Sequence, residues 1–414
     1  EYSQNLTVLR DRIYPFVKDN AEFYRSYAVT GSDGKLFFPY SCAQEACACR
    51  DAAFVKLPTV PVPNMTLQCT DPTAPFEDRC PTASGWEKNH PCYECMPDIA
   101  TGSEDGYHNS HPDVAFASSS FRNAIRFANI LGVDQNMAAA WQKALDAMPS
   151  YPMANFTFVE GAKGEEFNGG AGFFVEAEYG HHPGILPNGS SVTPVVWPWC
   201  NKEYPVSNFA AMWPTDEIGV TQTTDAELLA RAKQTVYALN EYQADPYANV
   251  NGFCLSWPPA VRVSEQNDSA QLVSAFANAI NMATGNNGCV HNHGGMLENI
   301  GATVAINDML LQSHGGRMRF FPVWNATALG AASFSTLRAY GAFLVSGSID
   351  NTGMISTINV TSEVGGNVTF EWSYSWTPYV TASDGSQVPT AYIPTNVYTF
   401  ATTAGSTYHI ASKH

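Results

Sequence analysis

Charge is scarce in this chain. Only 14% of its 414 residues are Asp, Glu, Lys or Arg, and the basic ones are the fewer, 21 against 38 acidic residues, for a net charge of −17 at pH 7. Such a balance offers no electrostatic footprint to nucleic acid or to an anionic membrane surface, so neither is expected as a partner. No run of about 18 apolar residues and no secretory h-region occurs, so no membrane-spanning helix is expected. The P-loop, the Gly-X-Gly-X-X-Gly turn, the Gly-X-Ser-X-Gly elbow and His-Glu-X-X-His are all missing. Those absences argue against a Rossmann fold, serine-triad chemistry and a zinc protease. His291 and His293 flank Asn292 near Glu298, too thin a set for a metal, so neither metal nor organic cofactor is expected. The first residue is Glu1 rather than Met, and the chain reads as a mature or processed piece of something longer.

A chain with so little charge needs another source of solubility, and asparagine-linked sugar supplies a candidate. Asn5, Asn64, Asn155, Asn188, Asn267, Asn325, Asn359 and Asn367 each open an Asn-X-Ser/Thr sequon with no proline in the middle. Eight of them point to a secretory route and an extracellular or lysosome-like location, with exposed loops at those sites. In that setting the ten cysteines, seven of them between 42 and 95, read as disulfides. A zinc site built from Cys47, Cys49, Cys92 and Cys95 is the alternative. The pairing does not follow from spacing.

Apolar periodicity predicts six helices, over 3–28, 114–132, 135–147, 225–242, 268–284 and 299–314. Pro15 should kink the first, and Asp134 should cap the third. Residues 57–107 are rich in Pro, Thr, Asp and Cys without periodicity and read as a disulfide-stapled insertion. Residues 150–222 read as loop and short strands, among them a buried strand over 173–179. After His314 the pattern turns β-branched and aromatic with polar alternation, which predicts an antiparallel module over roughly 318–412. The expected fold class is α+β. Its helical part covers 1–56 and 108–316, the cysteine-rich insertion 57–107 and the β domain 317–414.

One helix begins in a way that could matter chemically. His291-Asn-His-Gly-Gly-Met-Leu-Glu-Asn299 is polar and glycine-rich, and a helical pattern follows. Asn299 reads as the N-cap, which sets Glu298 at the helix mouth, where unpaired N–H groups and the helix dipole favour an ionised carboxylate. Trp197, Trp199 and Trp213 could stack on sugar rings or simply pack in the core.

Several stretches together resemble glycoside hydrolase family 95, the inverting α-L-fucosidases and α-L-galactosidases. The most specific is Asn299-Ile-Gly-Ala-Thr-Val-Ala-Ile-Asn-Asp-Met-Leu-Leu-Gln-Ser-His314, similar to that family's last barrel helix. Arg319-Phe-Phe-Pro-Val-Trp324 and Ser335-Thr-Leu-Arg-Ala-Tyr-Gly-Ala-Phe-Leu-Val-Ser346 are similar to the strands that follow. Tyr14-Pro-Phe-Val-Lys-Asp-Asn-Ala-Glu-Phe-Tyr24, Asn129-Ile-Leu-Gly-Val-Asp134 and Val206-Ser-Asn-Phe-Ala-Ala-Met-Trp-Pro214 also match. The resemblance implies an (α/α)6 toroid, of which six helices are half. It further implies that the rest lies on another polypeptide, the N-terminal half of one cleaved precursor or a second copy of this chain.

For the site, the resemblance implies a general acid at Glu45 and a base near Glu298. The family's own Asp position is occupied here by Leu297. Inverting hydrolysis needs two carboxyl groups about 6.5–9.5 Å apart, one protonated and one activating water. Asn299, Asn208, His181, His182, Trp213 and His293 are the expected sugar-binding residues, although the family's Arg-His pair has no counterpart around 202–208. The function expected is secreted cleavage of a terminal α-linked, fucose- or galactose-like sugar from a glycan substrate. A catalytically inactive glycan-binding or structural subunit of an extracellular assembly is the competing expectation.

Overall fold

The structure, a computed structural model, describes residues 2–31, 33–38, 105–154, 157–160, 165–168, 173–174, 177–181, 195–197, 209–242, 253–283, 296–374 and 376–412. It is an α+β fold, as the sequence predicts. The contacts divide it into two units, one of Thr7–Glu217 with Asp225–Gly252, the other of Glu1–Leu6, Ile218–Thr224 and Phe253–His414. Most of the cysteine-rich insertion lies outside the described residues. Of the cysteines, Cys254 alone falls on described backbone.

In the first unit, α1 (Tyr14–Tyr27) carries Pro15 in its first turn. The five residues before it, Leu9–Ile13, are π-helical. Proline has no N–H to bond back one turn, so the ladder loosens there. A short hairpin, β1 (Val29–Thr30) with β2 (Leu36–Phe37), follows, then β3 (Asp105–His108). Ser110 caps α2 (His111–Leu131) by accepting from the Asp113 N–H at 3.2 Å, and Gly132, at φ 69°, ends it.

α3 (Gln135–Asp146) starts after Asp134, but the expected cap bond is absent. The Asp134 carboxylate instead accepts from Tyr14 Oη and Lys18 Nζ, each at 2.8 Å. Charge-assisted bonds to another helix outcompete a local one. The small residues Ala117, Ala124 and Ala128 on α2 let α1 and α3 approach around Tyr14, Tyr24, Phe38, Phe121 and Trp141. The buried Trp141 donates its indole N–H to Glu22 at 2.6 Å.

Six short strands follow: β4 (Met153–Ala154), β5 (Thr157–Glu160), β6 (Glu165–Asn168), β7 (Phe173–Phe174), β8 (Ala177–His181) and β9 (Val195–Trp197). They pair as β3-β8-β9, β4-β7 and β5-β6. The predicted strand over 173–179 is therefore two strands in different sheets. α4 (Ala226–Tyr242) closes this unit.

The second unit opens with α5 (Phe253–Arg262), a helix the sequence did not announce because Pro258 and Pro259 lie inside it. Proline normally breaks a helix interior. Here burial of Trp257, Ala260 and Val261 outweighs that penalty. α6 (Ser269–Ala283) and α7 (Met296–Leu310) pack with α5. Arg262 Nε and Asp308 Oδ2 tie α5 to α7 at 2.6 Å, both side chains largely buried. No helix among the described residues is long and apolar enough to cross a membrane.

α7 differs from its prediction at both ends. It starts at Met296, which makes Asn299 a first-turn residue rather than the cap. It stops at Leu310, and β10 (Leu311–Gln312) begins at the next residue. The last carbonyls of the helix do not wait for further turns. Leu310 O accepts from Phe321 N at 2.7 Å and Met309 O from Val323 N at 3.3 Å. Backbone N–H groups of a turn have replaced helical partners for these orphan groups.

The β module is a sandwich of two five-stranded sheets. One runs β10, β11 (Met318–Phe320), β15 (Gly366–Glu371), β18 (Val397–Thr402) and β17 (Ala391–Ile393). The other runs β12 (Ala332–Ala339), β13 (Phe343–Ile349), β14 (Ile355–Ser362), β19 (Thr407–Ser412) and β16 (Pro378–Ala382). Period-two burial along β13, with Phe343, Val345, Gly347 and Ile349 inside, is the alternation the sequence showed. Between the sheets lie Phe320, Phe321, Val345, Ile358, Phe370, Phe400 and Ile410. The module is not wholly antiparallel, because β11 and β15 run parallel, with Met318 opposite Phe370 and Arg319 opposite Glu371.

Candidate functional site

Glu45, Asn208, His182 and His293 lie outside the described residues, as do Trp199, Asn64, Asn155 and Asn188. His181 ends β8, opposite Asp105 of β3. Glu298 and Asn299 are the third and fourth residues of α7, a first-turn position at which the helix dipole favours a carboxylate. Asn5, Asn267 and Asn367 are exposed. Asn325 is half-buried and caps a single helical turn by accepting from the Thr327 N–H. Asn359 is half-buried on β14, where its Oδ1 accepts from His409 Nδ1 at 2.6 Å.

Trp213 is the one predicted sugar-binding residue with a described environment. It is half-buried in a compact turn, 209–217, and its bond to Pro214 is cis. The turn is held by its own backbone. Met212 N and Trp213 N donate to Phe209 O, and Glu217 N donates to Ala211 O at 2.8 Å. Ala211 N donates in turn to His111 Nε2, at 3.3 Å, on the first residue of α2. Burial pushes His111 down to about 3. The ring is therefore neutral, and because it accepts at Nε2 it carries its proton on Nδ1. Tyr151 packs on His111 with ring centres 4.8 Å apart.

The turn ends at Glu217, which sequence reasoning passed over. Its side chain is only 6% exposed, and Oε2 lies 2.7 Å from Arg122 Nη2 of α2. Two effects oppose each other there. Burial raises the carboxyl pKa, Arg122 lowers it, Asp216 raises it, and the balance falls at about 7. Burial prevails because Arg122 is 56% exposed, so water screens its charge and weakens its pull. Burial together with the Glu217 charge raises the Tyr151 hydroxyl above its ordinary range. A carboxyl that titrates near neutrality can give or take a proton at physiological pH. In sequence its signal was an acid pair, Asp216-Glu217, directly after an aromatic-proline turn.

In the second unit a different polar cluster surrounds the end of α7. His314 is buried, and burial, with help from Arg262 and Arg319, pushes it down to about 2. Gln312 is also buried, and its Oε1 accepts from Arg319 Nη1 at 3.1 Å. Gly315 adopts φ 72°, and a Cβ there would meet Thr221 Cγ2 at 2.5 Å, so this position requires glycine. No group of three His, Cys, Asp or Glu able to hold a metal occurs among the described residues.

No protein-family model and no curated protein matches the chain. Among solved structures it is similar to a Streptomyces avermitilis α-L-rhamnosidase complexed with L-rhamnose, at 12% identity, over 72% of this chain and 26% of that one, with a TM-score of 0.33. It is also similar to a protein from the human microbiome described as a kojibiose phosphorylase, at 10% identity, over 96% and 47%, with a TM-score of 0.37. A family-127 β-arabinofuranosidase is similar at 9% identity, over 78% and 45%, with a TM-score of 0.22. The chain thus spans from about a quarter to about half the length of these proteins. Likeness at such scores fixes neither activity nor substrate.

Proposed function

We propose that the chain is part of a secreted, N-glycosylated glycoside hydrolase of the family-95 kind, which removes a terminal α-linked, fucose- or galactose-like sugar with inversion. The stretch that carries the reading is Asn299–His314, whose resemblance to the family's last barrel helix is the most specific in the sequence. The reading takes Glu45 as the acid. It takes Glu298 as the base, reaching one position beyond Leu297, where the family has Asp. Asn299, Asn208, His181, His182, Trp213 and His293 surround the sugar. No cofactor enters.

The toroid this reading needs has more helices than occur among the described residues, and the reading has a second polypeptide complete it. Exposed apolar side chains on and before α1 support that, with Phe16 73% and Phe23 55% exposed beside Ile13 and Val8. Large apolar side chains left exposed at this helical spacing favour an interaction site.

The test is turnover of aryl α-L-fucosides and α-L-galactosides by the glycoprotein secreted from a eukaryotic host. Proton NMR reads the anomer released first, and inversion gives the β-sugar. Glu45→Gln is expected to abolish release while circular dichroism stays unchanged. If the parent protein turns over no faster than Glu45→Gln, the hydrolase reading fails. Leu297 at the Asp position favours a second reading, a glycan-binding subunit without turnover. Retention of the same glycans on an array by both proteins, with no product formed, would support it.

A further inference from the structure

Beside the turn that opens α6, at the ends of β11 and β15, lies a cavity of about 240 Å³. One strand register builds its floor. Because β11 and β15 run parallel with Arg319 opposite Glu371, a guanidinium and a carboxylate emerge side by side. Arg319 Nε is 3.4 Å from Glu371 Oε1. Arg317 Nε is 3.0 Å from Glu371 Oε2 but out of line for a hydrogen bond. Ser373 Oγ donates to Glu371 Oε1 at 3.2 Å.

The walls are fixed from behind. Tyr374 Oη donates to Phe320 O at 2.8 Å and Gln266 Nε2 to Phe321 O at 3.2 Å, which holds an aromatic ring and an amide at the cavity. Glu265 and Asn267 form an exposed lip.

The chemistry of the lining selects a ligand class. On the floor Glu371 is already paired, with Arg319 of the lining at one oxygen and with Arg317, outside the lining, at the other, so neither a bare anion nor a bare cation is favoured. Donors and acceptors alternate, which suits neighbouring hydroxyls, since each hydroxyl both donates and accepts. The Tyr374 ring adds an apolar face for C–H groups. The volume lies below the roughly 300–1,000 Å³ of pockets for drug-sized ligands, which leaves room for one ring.

We propose that this cavity is a binding site for a single pyranose ring. Two sources could supply it. Asn267 opens the sequon Asn267-Asp268-Ser269, and a glycan tethered at the lip would face the cavity at an effective concentration in the mM range. A free saccharide is the other source. The proposal does not depend on Glu45, Glu298 or hydrolysis, so loss of the hydrolase reading leaves it standing.

The experiment has two arms. In the first, the secreted protein and Asn267→Gln are compared by hydrogen-exchange mass spectrometry over 317–322 and 371–374, with the glycan intact and trimmed to its first N-acetylglucosamine. Exchange at least threefold slower in both glycosylated forms than in Asn267→Gln identifies the chain's own glycan as the occupant. In the second, Asn267→Gln is titrated with N-acetylglucosamine, L-fucose and D-galactose by saturation-transfer NMR. Binding of any of them that Glu371→Gln weakens at least tenfold identifies a free sugar. Ser373→Ala, an exposed change, repeats the test if Glu371→Gln does not fold. Exchange indifferent to the glycan, together with no sugar binding or with binding indifferent to both variants, overturns the proposal.

Discussion

Replacing Glu217 by Gln should make the turn over 209–217 more stable in mild alkali and leave it nearly unchanged in acid. The folded carboxyl titrates at about 7 against an ordinary value of 4.5. Between those two pH values the folded protein keeps a proton that the unfolded chain has released. The stability from this group is therefore complete below about pH 4.5, falls as pH rises, and is gone above about pH 7. At about 1.4 kcal/mol for each pH unit the window is worth about 3 kcal/mol. Gln cannot ionise, yet it retains a carbonyl that can accept from Arg122, so the variant drops the titration and keeps the contact. His111, at about 3, works the other way, since it resists protonation when folded and loses stability as pH falls below its ordinary value of 6.5. That slope is common to both proteins and cancels in their difference. The assay is hydrogen exchange of the 209–217 amides, corrected for intrinsic rates, alongside urea midpoints from pH 4 to 8. The expected difference between variant and parent grows by about 3 kcal/mol across the window. A flat difference, or a parent protein that gains on the variant as pH rises, refutes the reasoning.

Arg262→Met strands the Asp308 carboxylate in the α5–α7 contact and should cost about 3–5 kcal/mol, read from urea unfolding followed by circular dichroism. Gly315→Ala forces a Cβ onto Thr221 at a positive φ and should lower stability by about 1–3 kcal/mol, read from the thermal midpoint. Phe370→Ala empties the centre of the sandwich core and should cost about 3–5 kcal/mol, seen as a lower denaturant midpoint with near-UV signal lost early. Glycopeptide mapping of the protein secreted from an N-glycosylating host should find sugar at the exposed Asn5, Asn267 and Asn367. Bare asparagine at all three would remove the basis for a secretory reading.

How much the sequence disclosed depended on the range of the interaction involved. β13 was legible because from Val345 to Ile349 it alternates with Ser346 and Ser348, and the pleat alone produces that period. α2 was legible because apolar spacing and Gly132 mark its face and its end. α5 was hidden, since Pro258 and Pro259 are local breakers and the burial that overrides them comes from residues distant in sequence. The end of α7 was misplaced for the same reason. Nothing in Leu310-Leu311-Gln312 shows that Phe321 and Val323, just past strand β11, will capture the helix carbonyls. Trp213 was singled out for its chemistry, but Glu217 was not, because a raised pKa is a property of enclosure and the enclosing Arg122 and Tyr151 are far away in the chain.

The junction at Leu310 has a mechanical meaning. Helix α7 and strand β10 share a peptide bond and no spacer; strand β11 pairs with β10, and Phe321 and Val323, just past β11, donate to the last carbonyls of α7. A rotation of the first turn of α7, where Glu298 sits, cannot be absorbed by slack chain at its far end. It has to be taken up inside the helix or passed on to the edge of a five-stranded sheet. The sandwich therefore works as an anvil for that helix. It sets the axial position of Glu298 as a fixed end sets the reach of a rod fifteen residues long.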